Sequence, residues 1–151
     1  MSIFINNSFM LEALNQAKIA FSLQEVPVGC VIVENGIILA KTYNKTKSNF
    51  DPSAHCEILA IKEVCKNKKT TQLNNCDIYI TLEPCPMCLM AINYAKIKRI
   101  YYGANDEKFG AIESNPIFKK TNITHFESEV YSGFYAQESI SLLKEFFNNK
   151  R

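Results

Sequence analysis

Four side chains of this sequence could do metal chemistry together: His55, Glu57, Cys85 and Cys88. Cys85-Pro86-Met87-Cys88 is a C-x-x-C. Taken alone, that spacing fits half of a zinc site, a redox dithiol acidified by a helix N-terminus, or two ordinary buried cysteines. Upstream, His55-Cys56-Glu57 adds an imidazole and a carboxylate. One nitrogen and two thiolates leave a fourth position open, which is the composition of a catalytic zinc site rather than a closed structural one. Zinc lowers the pKa of a bound water from about 15.7 to about 7. Glu57 then supplies the proton shuttle that such a site needs. A redox reading gives neither His55 nor Glu57 a role.

The elements that must position these residues follow from periodicity. Apolar Met10, Leu14, Ala17 and Phe21 recur at helical spacing within a helix over about Phe9 to Gln24, closed by Pro27 and Gly29. Val28 to Val33 and Ile37 to Tyr43 read as two strands. Asn35-Gly36 between them is a hairpin signal, because a type I′ turn needs positive φ at both central residues. Asp51 as cap and Pro52 as first residue open a second helix that runs to about Cys65 and carries His55 and Glu57 on its first turn. Cys76 to Thr81 reads as a strand, Pro84 to Lys96 as a helix starting at the C-x-x-C, and Arg99 to Tyr102 as a strand. A short strand near Thr124 to Glu127 and an amphipathic helix from Tyr135 to Asn148 complete the chain. Helix, two strands, helix, strand, helix, two strands, helix predicts an α/β protein in three α/β/α layers, with a central mixed sheet of about five strands.

Composition bounds the class. The chain has 151 residues, 47% hydrophobic and 21% charged, with a net charge of +2. A length near 150 predicts a single domain over residues 1–151 with a core that needs no disulfide staple. No apolar stretch is long enough to span a membrane. Residues Met1 to Ile5 lack the basic start and long apolar core of a secretory signal, which predicts a cytoplasmic protein with reduced thiols. The six cysteines are an even number, so a disulfide framework is the competing reading, but such frameworks belong mainly to smaller secreted domains. Cys30, Cys65 and Cys76 read as small buried hydrophobes, and Cys56 as the same. His125 reads as a surface or packed histidine, and Glu83 as a loop carboxylate. Lys62, Lys66, Lys68 and Lys69 read as a solvated helix end.

His55-x-Glu57 followed by Pro84-Cys85-x-x-Cys88 matches the zinc deaminase signature. With Glu25-Val-Pro-Val-Gly29, Asn44, Asp51-Pro-Ser-Ala-His55, Thr81 to Cys88, Tyr102 to Ala111 and Phe146-Phe147, the chain resembles the tRNA adenosine deaminases of the cytidine deaminase-like superfamily. The resemblance covers roughly residues 8 to 151. It implies a cytidine deaminase-like fold and one Zn2+ per chain on His55, Cys85 and Cys88, with Glu57 as catalytic residue. It also implies conversion of a wobble adenosine of a tRNA anticodon to inosine. Asn44 and the Cys56 backbone amide would hold the base, with Val28 and Leu82 as walls. Asp106, Lys108, Phe147, Lys150 and Arg151 would lie along the RNA. A homodimer with no membrane partner is expected. The chain departs from the family at Cys56, where alanine is usual, and over Ile112 to Glu127. Two other readings stay open: a deaminase of a free base or nucleoside (guanine, cytosine or adenine), and a non-catalytic protein that keeps zinc for stability.

Overall fold

The computed structural model describes residues 7–116 and 128–150. The helices are α1 (Asn7–Ser22), α2 (Cys56–Lys68), α3 (Pro86–Ala95) and α4 (Ala136–Asn148). The strands are β1 (Gly29–Glu34), β2 (Ile37–Tyr43), β3 (Cys76–Leu82), β4 (Arg99–Ala104) and β5 (Glu129–Ser132). They form one sheet in the order β2-β1-β3-β4-β5. β1 runs antiparallel to β2 and β3, while β3, β4 and β5 are parallel. The sheet is therefore mixed, as the order of elements predicts. No helix among the described residues is long and apolar enough to cross a membrane.

Side chains alternate along the strands because successive Cβ atoms point to opposite faces. Cys30, Ile32, Ile78, Ile80 and Tyr102 bury one face with Ala60 and Val64 of α2 and Leu89 and Ile92 of α3. Val31, Val33, Tyr79 and Tyr101 bury the other with Met10 and Ala13 of α1. Tyr79 and Tyr101 stack with centroids 4.4 Å apart, and Tyr131 of β5 continues the stack. The β1–β2 turn has φ of 51° at Asn35 and 76° at Gly36, as a type I′ turn requires. Gly29 is needed for contact rather than for φ. A Cβ there would lie 2.2 Å from the Ala13 carbonyl oxygen and 2.5 Å from the Ala17 nitrogen, so α1 packs directly on the β1 backbone.

Element boundaries shift from the sequence reading, most of all at the start of α2. α1 spans Asn7–Ser22 and so ends two residues before Gln24. α2 does not open at Asp51-Pro52. The Asp51 carboxylate accepts from the Ser53 amide at 2.8 Å and from its hydroxyl at 2.7 Å, which closes a local turn instead of capping a helix. The helix begins at Cys56 with His55 as its N-cap. The strand expected at Thr124 to Glu127 lies outside the described residues, and the observed β5 follows at Glu129–Ser132.

This topology brings four chain segments to one edge of the sheet. Gly29 pairs with Tyr43, Cys30 with Ile80, and Leu82 with Ala104. The start of β1 therefore lies beside the ends of β2 and β3, and the end of β4 lies next to that of β3. The loop after β2 is fixed by Glu25, a buried residue beyond α1. Its carboxylate accepts the amides of Lys47 (3.1 Å) and Ser48 (2.7 Å) and the Ser48 hydroxyl. Burial pushes this carboxyl up, but the Ser48 and Lys47 hydrogen bonds outweigh it and hold the group below its ordinary range.

Two outcomes follow. Gly29→Ala should cost about 1–3 kcal/mol of stability, because backbone atoms must move; a urea midpoint equal to the parent's would contradict the contact. A carboxyl with a lowered folded pKa stabilises above its unfolded pKa of about 4.3 and loses that contribution as pH falls through the folded value. Glu25→Gln should therefore be less stable at neutral pH and lose less stability between pH 5 and 3, measured by urea unfolding at each pH.

Candidate active site and metal centre

His55 is the N-cap of α2, and Cys85 is the N-cap of α3, with Pro86 at the first helical position. Cys88 lies one turn into α3. The His55 Nδ1 atom is 3.6 Å from Cys85 Sγ and 3.5 Å from Cys88 Sγ. All three ligand atoms lie within 4.8 Å of one another. Tetrahedral zinc, with bonds of about 2.3 Å to sulfur and about 2.05 Å to nitrogen, sets a nitrogen–sulfur separation of about 3.6 Å. The observed spacing fits the metal that the sequence suggests. Among the described residues this is the sole histidine, cysteine or carboxylate group arranged to hold a metal.

The electrostatics suit a cation. Hydrogen bonding with Cys88 and with His55 brings the Cys85 thiol down to about 4 against the effect of burial, so it is a thiolate at neutral pH. The hydrogen bond to Cys85 raises His55 in turn. Cys88 is pushed up by the neighbouring Cys85 and by burial. Glu57, on the first turn of α2, is buried at 4% exposure, and desolvation raises its carboxyl. A carboxyl poised higher than usual beside a metal site has the character that proton transfer calls for.

Cys56 is buried, as the sequence reading expects, and it is also a hydrogen-bonding centre. Its side chain is fully buried, and its thiol donates to Glu57 Oε1 at 3.0 Å. Its amide donates to Asn44 Oδ1 at 2.8 Å. Its carbonyl accepts the Thr42 hydroxyl at 2.7 Å. Cys56 therefore fixes the start of α2 and lies outside the metal group. Asn44, with its oxygen engaged, leaves its NH2 for the adjoining cavity.

That cavity, about 1060 Å³ in volume, is lined at its buried end by Val28, Asn44, His55, Glu57, Leu82 and Cys85. Asp106, Lys108 and Phe147 line it too, so the structure brings these sequence-derived residues to one place. Lys150 lies just outside, with Nζ 4.6 Å from the Phe146 ring centroid. Arg151 and His125 fall outside the described residues, as does the divergent segment beyond Pro116.

Glu83 is more than a loop carboxylate. It is buried and accepts the amides of Asp106 (3.1 Å), Ile112 (3.0 Å), Glu113 (2.8 Å) and Ser114 (3.0 Å), and also the Ser114 hydroxyl. These bonds overcome burial and hold it below the ordinary carboxylate range. A Cβ at Gly110 would lie 2.3 Å from the Glu83 Cδ atom, so only glycine lets the loop wrap the carboxylate. The sequence reading missed Glu83, Glu25 and Phe109. The adjacent Lys108-Phe109-Gly110 was the available signal for the last.

The model of the MafB19-like deaminase family matches residues 5–151. A tRNA-specific adenosine deaminase of Rickettsia bellii (strain RML369-C) is 47% identical over 144 residues, covering 94% of this chain and 99% of the relative. A solved structure from biochemical and structural studies of A-to-I editing by tRNA:A34 deaminases at the wobble position of transfer RNA has a TM-score of 0.88 at 41% identity. It covers 91% of this chain and 100% of that one. A guanine deaminase from Bacillus subtilis has a TM-score of 0.65 at 29% identity, covering 95% of this chain and 94% of that one.

Replacing Cys88 by serine exchanges a soft ligand for a weak one. Elemental analysis of purified Cys88→Ser should find far less than one metal ion per chain, whereas Cys65→Ser should keep the parent's content. Equal metal in both variants would remove Cys88 from the ligand set.

Proposed function

The chain belongs to the MafB19-like deaminase family, and we propose that it converts adenosine to inosine by zinc-dependent hydrolysis at the wobble position of a tRNA anticodon. The observation that carries the chemistry is a His55–Cys85–Cys88 group and a desolvated Glu57 opening into one cavity. The choice of substrate rests on likeness. Identity and superposition are higher with the tRNA-directed relatives than with the guanine deaminase.

His55, Cys85 and Cys88 would hold one Zn2+ per chain. When bound, zinc acts as a Lewis acid that makes water available as a nucleophile near neutral pH. Glu57 takes a proton from the attacking water and returns one to the exocyclic amine, so that adenosine and water give inosine and ammonia. The NH2 of Asn44 holds an acceptor on the base, and Val28 and Leu82 supply apolar walls. The cavity, about 1060 Å³, has room for a nucleotide extruded from a loop. Asp106, Lys108, Phe147 and Lys150 lie along the RNA. The protein acts in the cytoplasm as a single domain, paired as a homodimer.

The likeness to a guanine deaminase supports a second reading, hydrolysis of a free base. An anticodon stem-loop with adenosine at the wobble position, tested beside free guanine, cytosine and adenine, separates the two. Inosine and ammonia are expected from the stem-loop. Ammonia from a free base with an unchanged stem-loop would establish the second reading instead. Glu57→Gln should lower turnover at least about 10²–10⁴-fold with zinc content unchanged. Substantial activity in that variant would take Glu57 out of the mechanism.

A further inference from the structure

Three phenylalanines around the active-site cavity are turned to solvent: Phe50 is 95% exposed, Phe109 58% and Phe147 53%. Phe109 and Phe147 line the cavity, and Phe50 belongs to the loop whose residues Thr46 and Pro52 line it. Single exposed apolar residues are ordinary on protein surfaces, but large ones gathered at a cavity rim mark an interaction site.

Lysines accompany them. Lys108 Nζ sits 5.2 Å from the Phe109 ring centroid. Beside Phe147, Lys47 and Lys150 approach the Phe146 ring from 6.0 and 4.6 Å. Lys47 and Lys150 thus converge on one ring beside the cavity.

Neither rim loop is slack. Glu25 holds the amides of Lys47 and Ser48, next to Phe50. Phe50 itself is kept at a φ of 48°, which few non-glycine residues adopt. In the opposite loop, the Asp106 carboxylate accepts the amides of Lys108 (3.2 Å) and Phe109 (3.1 Å). That acid is engaged by the backbone, and the loop it closes is preorganised. Exposed aromatic rings and ammonium groups carried on loops with a held backbone are the recognition chemistry of single-stranded nucleic acid: bases stack on the rings and phosphates meet the cations. An apolar protein partner would have no use for the lysines.

Building on the proposed RNA substrate, we propose that Phe50 and Phe109 are stacking platforms for the unpaired nucleotides flanking the target adenosine, with Lys47 and Lys108 taking their phosphates. The two loops then grip the strand from either side of the cavity.

Binding of the anticodon stem-loop to zinc-loaded Glu57→Gln protein, followed by fluorescence anisotropy over a salt series, tests this. Phe50→Ala and Phe109→Ala should each weaken binding at least about fivefold without changing the salt dependence. Phe50→Tyr and Phe109→Tyr, which keep an aromatic face, should restore it. Lys47→Ala and Lys108→Ala should each reduce the slope of log affinity against log salt by about 0.7. Phenylalanine variants that bind as tightly as their parent overturn the platform while leaving the substrate standing. A parent that does not bind the stem-loop overturns the substrate and the platform together. Variants that weaken binding only by changing the oligomeric state in sedimentation show instead that the rings pack between copies of the chain.

Discussion

Two helices in this protein must begin at the same point in space. His55 caps α2 and Cys85 caps α3, and their ligand atoms meet within 4.8 Å. Much of the architecture serves that convergence. β3 delivers Cys85 and β2 leads to His55, and both strands reach the same sheet edge because β1 pairs with each of them antiparallel. Helix N-termini carry partial positive charge, which favours thiolates over thiols where they meet. The same geometry would be unfavourable around an isolated cation. It becomes favourable because the sulfurs bring negative charge with them.

The buried polar groups behind the metal site form one connected set. Cys30 Sγ contacts the Thr42 hydroxyl at 3.1 Å, and that hydroxyl donates to the Cys56 carbonyl. Cys56 then reaches Asn44 through its amide and Glu57 through its thiol. Two cavity residues, Asn44 and Glu57, are thus oriented by one residue that does not face the cavity. Alanine, usual here in the resembled family, would make the same backbone contacts and lack the contact to Glu57. A partly satisfied buried network is costly, and among the described residues only Asp77 Oδ1 is buried without a partner, remote from this set on β3.

The sequence disclosed the chemistry more fully than the scaffolding that holds it. The metal group, Glu57, the hairpin turn and the order of the four helices and first four strands were legible, because each carries its own residue types or periodicity. The start of α2 was not. Asp51-Pro52 is a good local start signal, but tertiary demand places the first turn where Asn44 and Thr42 can hold Cys56. Glu25 and Glu83 were invisible for a related reason. Their partners are mostly backbone amides from distant segments, and a backbone amide leaves no signature in the residue that bears it. A carboxylate at the end of a helix or strand looks the same whether it faces water or anchors a loop.

That arrangement bears on how such a protein changes over generations. The paths of the two rim loops are set by carboxylates placed behind them, Glu25 and Glu83, acting mainly on the main chain. Ser48, Asp106 and Ser114 add side-chain bonds to that support, whereas the Phe50 ring and the Lys108 ammonium take no part in it. Display and support are separately heritable: a replacement at Phe50 or Lys108 alters what the rim offers a substrate and leaves its framework standing. Selectivity can therefore drift by single substitutions while the hydrolytic centre beneath stays fixed.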